Sequence, residues 1–232
     1  MSGPVCLQGG AEFGPDCREM DTELLRLSGG GRTVVLPLAA DVGRDYDTAG
    51  RNAERWYREL GATDVVVAED PRRGGVDPRD LVRDAAFVVL PGGSPSRLLD
   101  GLREHGLDLA VAEAHSRGAV VMGASAGAMV LAGRAVLPDK GGMLADAVGL
   151  VPGVVVLPHF DARQGQRLQQ LWAGLDADEM ALGIPEQSGL LVDRRRVVAL
   201  GRAAPTFLGG RPFALAPGSQ GLLGWEMGWE FD

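Results

Sequence analysis

The chain has 232 residues, 45% of them hydrophobic and only 5% aromatic, enough to bury one sizeable core without division into domains. Its 23 basic residues against 31 acidic ones leave a net charge of -8, which repels phosphate backbones and argues against nucleic acid as the main ligand. No apolar run reaches the roughly 20 residues that cross a bilayer, and with Lys140 as the one lysine there is no lysine-rich arm for an anionic membrane surface.

The opening residues, MSGPVCLQGGAEFG, lack a basic start followed by a long apolar stretch and do not read as a secretory signal, so a cytoplasmic location is expected. Cys6 and Cys17 have no ligand-type partners at close spacing, and two thiols in a chain this long do not make a disulfide framework. Both read as reduced structural thiols, with no metal or cofactor expected. From there, short β-branched runs alternate with longer amphipathic stretches. Strands are expected at residues 5–7, 33–38, 64–68, 87–90, 119–122 and 153–156, apolar on both faces as a covered sheet requires. Helices are expected at 48–60, 78–84, 96–104, 107–117 and 163–173; in the last, Leu168, Leu171 and Trp172 recur at helical spacing.

This alternation predicts one α/β domain over residues 1–232, a mostly parallel central sheet flanked by helices. From Leu190 the pattern changes. LLVD, a three-arginine turn and VVAL read as a β-hairpin followed by Gly- and Pro-rich short strands, an antiparallel edge to the sheet. Apolar positions in 221–231, Trp225 and Trp229 among them, can form the contact surface of a homodimer or fold back onto the chain's own core.

Gly123-Ala124-Ser125-Ala126-Gly127 matches G-x-S-x-G, in which small neighbours let a strand turn sharply into a helix while the serine is held exposed. AVVM runs into the pentapeptide and AGAMVLAG, rich in helix formers, runs out of it. A helix start aims unpaired N–H groups at the serine, and the amide of Ala126 is then placed to bind an oxyanion. A second donor is expected from a loop at the sheet's carboxyl end; VVLPGG ends such a strand, and Gly93 N–H is the candidate.

Of the three histidines, His105 and His115 lie in polar helical surroundings before the serine, whereas His159 follows a buried-type strand in VVVLPHFD. His159 is the better base, since an imidazole at a strand end facing the elbow can take the serine proton and return it to a leaving amine. Four carboxylates compete to orient it. Asp139 or Asp146 gives the order of α/β-hydrolases, Asp161 the His-x-acid spacing of class I amidotransferases, and Glu186, after the apolar run ALGIP, gives Ser, His, Glu. Arg163 and Arg167, one helical turn apart, can bind a substrate carboxylate.

Four segments together resemble the S51 peptidases, the family of peptidase E (α-aspartyl dipeptidase) and cyanophycinase: LPGG (90–93), GASAGA (123–128), PHFDARQGQRL (158–168) and GIPEQSGLLVD (183–193). The resemblance implies a class I glutamine amidotransferase-like sheet with serine in the cysteine position. It also implies a Ser125, His159, Glu186 triad, oxyanion donors at Gly93 and Ala126, and hydrolysis of a short peptide through an acyl-enzyme. LQGGAEF looks like the family's opening strand and loop. Ser94-Pro95-Ser96-Arg97 departs from the family's loop after the double glycine, which leaves aspartyl-dipeptide and cyanophycin cleavage unassigned, and Asp139 keeps the third triad position open. A non-catalytic small-molecule-binding module on the same scaffold is motivated by that altered loop. An esterase remains only through Asp139 or Asp146, because no histidine follows His159.

Overall fold

The computed structural model describes residues 1–194, 196–208, 213–214, 218–222 and 230–231. The first half alternates strand and helix: β1 (Val5–Gln8), α1 (Arg18–Leu27), β2 (Thr33–Val35), α2 (Arg44–Glu59), β3 (Val65–Val67), α3 (Arg79–Arg83), β4 (Phe87–Leu90), α4 (Pro95–Glu104), α5 (Leu107–Ser116), β5 (Val120–Ala124) and α6 (Ala126–Leu131). The second half is mostly strand: β6 (Ala132–Leu137), β7 (Met143–Asp146), β8 (Val151–Leu157), α7 (Gly165–Ala173), β9 (Met180–Gly183), β10 (Ser188–Asp193), β11 (Arg196–Gly201), β12 (Thr206–Leu208), β13 (Phe213–Ala214), β14 (Gln220–Leu222) and β15 (Glu230–Phe231).

These strands form two sheets. The larger has the order β15-β14-β11-β10-β1-β5-β4-β2-β3. Its β1, β5, β4, β2 and β3 are parallel, and β10, β11, β14 and β15 extend it antiparallel from β1. This is the expected α/β architecture with an antiparallel edge near the C-terminus. The second sheet, β13-β12-β9-β8-β6-β7, was not anticipated; β6, β8 and β9 are parallel within it. The strand expected at 153–156 is β8 and belongs to this sheet.

The parallel strands are buried on both faces because their apolar side chains alternate between two layers. Val5, Leu7, Val88, Leu90 and Val121 face one cluster, which also takes in Ala135, Leu137, Val154, Val156 and Leu182 of the second sheet. Cys6, Phe87, Val89, Val120 and Met122 face the other, closed by Met20 and Leu24 of α1 and by Ala53, Trp56 and Tyr57 of α2. The buried positions of α2, Tyr46, Gly50, Ala53, Trp56 and Tyr57, recur at helical spacing. Fully burying a side chain such as Phe87 contributes about 2–3 kcal/mol, so this doubly covered sheet is the rigid base of the molecule.

Two expected elements end early for local reasons. The strand expected through residue 38 stops at Val35, since Pro37 has no N–H to continue the ladder, although Leu36 N–H still reaches Val89 O at 2.9 Å. The helix leaving the elbow is six residues long and gives way at Ala132 to β6, whose pairing with β8 is irregular between Ala132 and Arg134. Helix α1 was not expected: Asp21 sits among its buried residues and interrupts the apolar repeat of Met20 and Leu24. The contact surface suggested for 221–231, with Trp225 and Trp229, lies for the most part outside the described residues. Among the described residues no helix is long and apolar enough to cross a membrane.

Candidate active site

β5 delivers the serine. Gly123 and Ala124 run into Ser125, which stands at φ 50° and ψ -106°, a conformation disfavoured by its β-carbon, and forms the N-cap of α6 without a side-chain cap bond. Two backbone hydrogen bonds hold it there. Ser125 N–H donates to Gln8 O on β1 at 2.8 Å, and Ser125 O accepts from Met129 N–H at 3.1 Å. A β-carbon on Gly123 would lie 2.3 Å from the Gly127 carbonyl carbon, and one on Gly127 would lie 2.1 Å from Leu90 O, so the turn closes only with glycine at both places. Oγ is thereby left free at the carboxyl edge of the parallel strands.

The imidazole arrives from the second sheet. His159 follows β8, and its N–H donates to Gly9 O at 2.8 Å. Its backbone sits at φ 52°. Its ring lies against Gly10, where an added β-carbon would fall 2.3 Å from Cε1. Gly10 O in turn accepts from Gln187 N–H at 2.9 Å, so the loop after β1 fixes both segments that carry the imidazole and the acid. His159 Nε2 is 2.8 Å from Ser125 Oγ, and His159 Nδ1 is 2.8 Å from Glu186 Oε1. An ionised Glu186 can only accept, which sets the ring proton on Nδ1 and leaves the Nε2 lone pair for the serine hydroxyl. The two side chains are 47% and 56% exposed, so their contact adds little stability; its effect is to orient the ring.

Glu186 meets the imidazole because its loop follows β9, the parallel neighbour of β8. Of the other three candidates, Asp139 and Asp161 have their carboxylates engaged elsewhere. Asp139 accepts from Ser96 Oγ at the start of α4. Asp161 accepts from Arg163 N–H at 2.8 Å and pairs with the Arg163 guanidinium, which holds its carboxyl below the ordinary range. Asp146 ends β7, where its carbonyl accepts from Arg103.

Gly93 stands at φ 142°, and a β-carbon there would lie 2.5 Å from Ala39 O, so glycine is required by both conformation and space. The described residues form no hydrogen bond to the amide of Gly93 or to that of Ala126, the first residue of α6. A cleft of about 580 Å³ opens beside Ser125 and His159, lined by Gly93, Met129, Val136, Pro138, Leu157, Gln164, Arg167 and Leu171 among others. Arg167 borders it and makes no ion pair among the described residues, whereas Arg163 is tied to Asp161 and does not line it. Among the described residues no group of three or more His, Cys, Asp and Glu is arranged to hold a metal ion.

The sequence singled out neither the seat that Gly9 and Gly10 provide for the imidazole nor Glu12, whose Oε1 accepts from Gly92 N–H at 2.8 Å. The doublet glycine directly after a strand was the available signal for the first. For Glu12 there was none, because its partner is 80 residues away.

Comparison with known proteins places the chain in a family. The chain is 40% identical over 108 residues to the imidazole glycerol phosphate synthase subunit HisH of Herpetosiphon aurantiacus, a match covering 45% of this chain and 48% of that protein. The chain thus spans about half the length of that relative. Its fold is similar to that of a peptidase from an acI-B1 Actinobacterium, with a TM-score of 0.81 at 23% identity over 95% of this chain and 96% of the other. It is also similar to a peptidase E candidate from Listeria monocytogenes EGD-e, with a TM-score of 0.63 at 19% identity over 88% and 100% of the two chains. The model of peptidase family S51 matches residues 6–200. The chain therefore belongs to peptidase family S51.

Proposed function

We propose that the chain hydrolyses short peptides as a dipeptidase or exopeptidase, through a Ser125, His159, Glu186 triad and an acyl-enzyme. The carrying observation is the unbroken line of contacts from Ser125 Oγ to His159 and on to Glu186, each 2.8 Å long. Ser125 Oγ attacks the scissile carbonyl while Nε2 takes its proton, and the imidazolium is held by Glu186 through Nδ1–H. The tetrahedral oxyanion is received by the amides of Gly93 and Ala126, donors already in place and without other partners among the described residues. Nε2–H then protonates the leaving amine, the C–N bond breaks, and water repeats the sequence on the ester.

A small substrate is supported by the cleft, whose volume of about 580 Å³ suits a ligand of small-molecule size rather than an extended polypeptide. Arg167 at its border supplies a fixed positive charge for a substrate carboxylate, which favours a peptide cut near its terminus. The test is Ser125→Ala against a dipeptide library, together with labelling by a fluorophosphonate. The wild type labels and turns over, while the variant does neither and loses about 10⁴-fold or more in kcat/KM. Undiminished cleavage by purified Ser125→Ala removes the assignment.

A further inference from the structure

The cleft beside Ser125 is walled by side chains to which the mechanism above gives no role. Met129 of α6, Val136 of β6, Val156 and Leu157 at the end of β8 and Leu171 of α7 all line it. Four separate elements thus bring apolar groups to one place. The core supports them from behind: Met129 and Val156 belong to one apolar cluster, against which Val136 packs. Leu157 belongs to another, shared with Phe160 and Leu168, against which Leu171 packs. A wall held in this way keeps its shape, as a pocket that selects a side chain must.

The charge of the cleft is equally restricted. Among the described residues that line it, Arg167 alone is permanently charged, and neither a carboxylate nor a lysine is present. Basic groups of the neighbouring segments have other partners. Arg97, in the loop where the sequence departs from the family, donates to Ala39 O at 2.7 Å and pairs with Asp41. Arg134 pairs with Glu179, and Lys140 with Asp100 at 2.9 Å. What the departing loop gives the cleft is Pro95.

The wall lies on one side of the cut. His159 Nε2 protonates the leaving amine, so the released residue sits on the His159 side of the scissile bond. Leu157 precedes His159 by two positions, and α7, which carries Arg167 and Leu171 one helical turn apart, follows it. One α-carbon bears both the terminal carboxylate and the side chain of a released residue, so a carboxylate at Arg167 leaves the side chain against the apolar wall. With that cation taken, an acidic side chain would be desolvated without a partner, and a basic one would meet no anion and lie close to Arg167.

We propose that the cleft selects an apolar side chain, of leucine or phenylalanine type, on the C-terminal residue that the cut releases. This rests on the acyl-transfer reading of Ser125 and deepens it by naming the class of residue released and the side chains that select it.

The experiment follows release of each C-terminal amino acid from a full dipeptide library by the wild type, Leu171→Glu and Val136→Thr. Fluorophosphonate labelling of Ser125 and melting curves are run in parallel. The wild type is expected to favour leucine and phenylalanine over aspartate and lysine at the released position by about tenfold or more in kcat/KM, the scale on which a hydrophobic pocket discriminates. Leu171→Glu sets a carboxylate in the wall and moves the preference to lysine and arginine. Val136→Thr keeps the shape and lowers the ratio of leucine to glycine release about fivefold, mainly through KM. Equal release of apolar, acidic and basic residues by the wild type overturns the proposal, as does a labelling wild type that cleaves no dipeptide. A folded, labelling Leu171→Glu that keeps the wild-type preference overturns it too. If Leu171→Glu does not fold, Val136→Thr decides, and an unchanged ratio of leucine to glycine is then the refuting result. A wild type that fails to label removes the acyl-transfer reading, and this proposal with it.

Discussion

Asp21→Asn should flatten the pH dependence of folding stability between about pH 4 and pH 7, the interval over which burial displaces this carboxyl. Asp21 is 0% exposed on α1. Its Oδ2 accepts from Trp56 Nε1–H at 2.7 Å, and its Oδ1 has no partner among the described residues. Desolvation raises its pKa from 3.8 to about 7, helped by the charge of Glu12 and opposed by the Trp56 hydrogen bond. The buried groups near it are raised too: burial pushes Cys17 up to about 11 and Cys6 and Tyr57 higher still. None of them supplies a positive charge to offset an aspartate.

In the unfolded chain Asp21 ionises near 3.8, whereas in the folded protein it keeps its proton to about 7. Within that window the native state binds more protons than the unfolded state, so stability falls as pH rises, at about 1.4 kcal/mol per unit for this group. The stabilisation is complete below the unfolded pKa and lost once pH has passed the folded one. Over the full interval it amounts to about 4 kcal/mol, a large share of the 5–15 kcal/mol typical of a domain. Asparagine has no such titration. Urea denaturation followed by tryptophan fluorescence, repeated from about pH 4 to pH 8 for both proteins, should show the wild type losing stability relative to Asp21→Asn with rising pH. Parallel profiles across that range would refute the reasoning.

Three further outcomes concern the site. Gly10→Ala should leave a folded protein whose kcat is lower by about 10²-fold or more, because its methyl group would meet His159 Cε1 at 2.3 Å and displace the imidazole; unchanged kcat by steady-state kinetics contradicts this. Glu186→Gln keeps the shape but removes the acceptor charge that fixes the Nδ1 proton, so kcat should drop by about 10⁴-fold with little change in melting temperature. Arg167→Ala should raise KM about tenfold for dipeptides with a free carboxylate and leave their C-terminal amides unaffected, as measured by paired substrate kinetics.

The parallel half of the molecule was readable because its strands are apolar on both faces and closed by turn residues. Phe87–Leu90 coincides with β4, and the runs at 5–7, 64–68 and 119–122 differ from β1, β3 and β5 by at most two residues at either end. The second sheet was not readable for an equally physical reason. β6 begins in a run of good helix formers and β7 exposes Met143 and Asp146, while β8 was read as a strand from Gly153 but not as part of a separate sheet. Pairing between these segments overrides their separate preferences. The residues alone left the acid open, although the resemblance pointed to Glu186. Four carboxylates stood at workable spacings, and their separation depends on contacts no spacing encodes: Ser96 with Asp139, and Arg163 with Asp161.

The two sheets also explain why the site depends on residues that touch no reacting atom. The serine belongs to the parallel sheet, while the imidazole and its carboxylate belong to loops of the second. What joins them is backbone: Gly9 accepts from His159 N–H and donates to Ser188 O at 2.9 Å, and Gly10 accepts from Gln187 N–H. A 2.8 Å contact between Oγ and Nε2 is therefore set by how the loop after β1 registers against the loops after β8 and β9. In the proposed mechanism, shifting that loop by an ångström would break the proton path while leaving Ser125, His159 and Glu186 all present, so the loop's glycines would constrain catalysis as tightly as the glycines of the elbow.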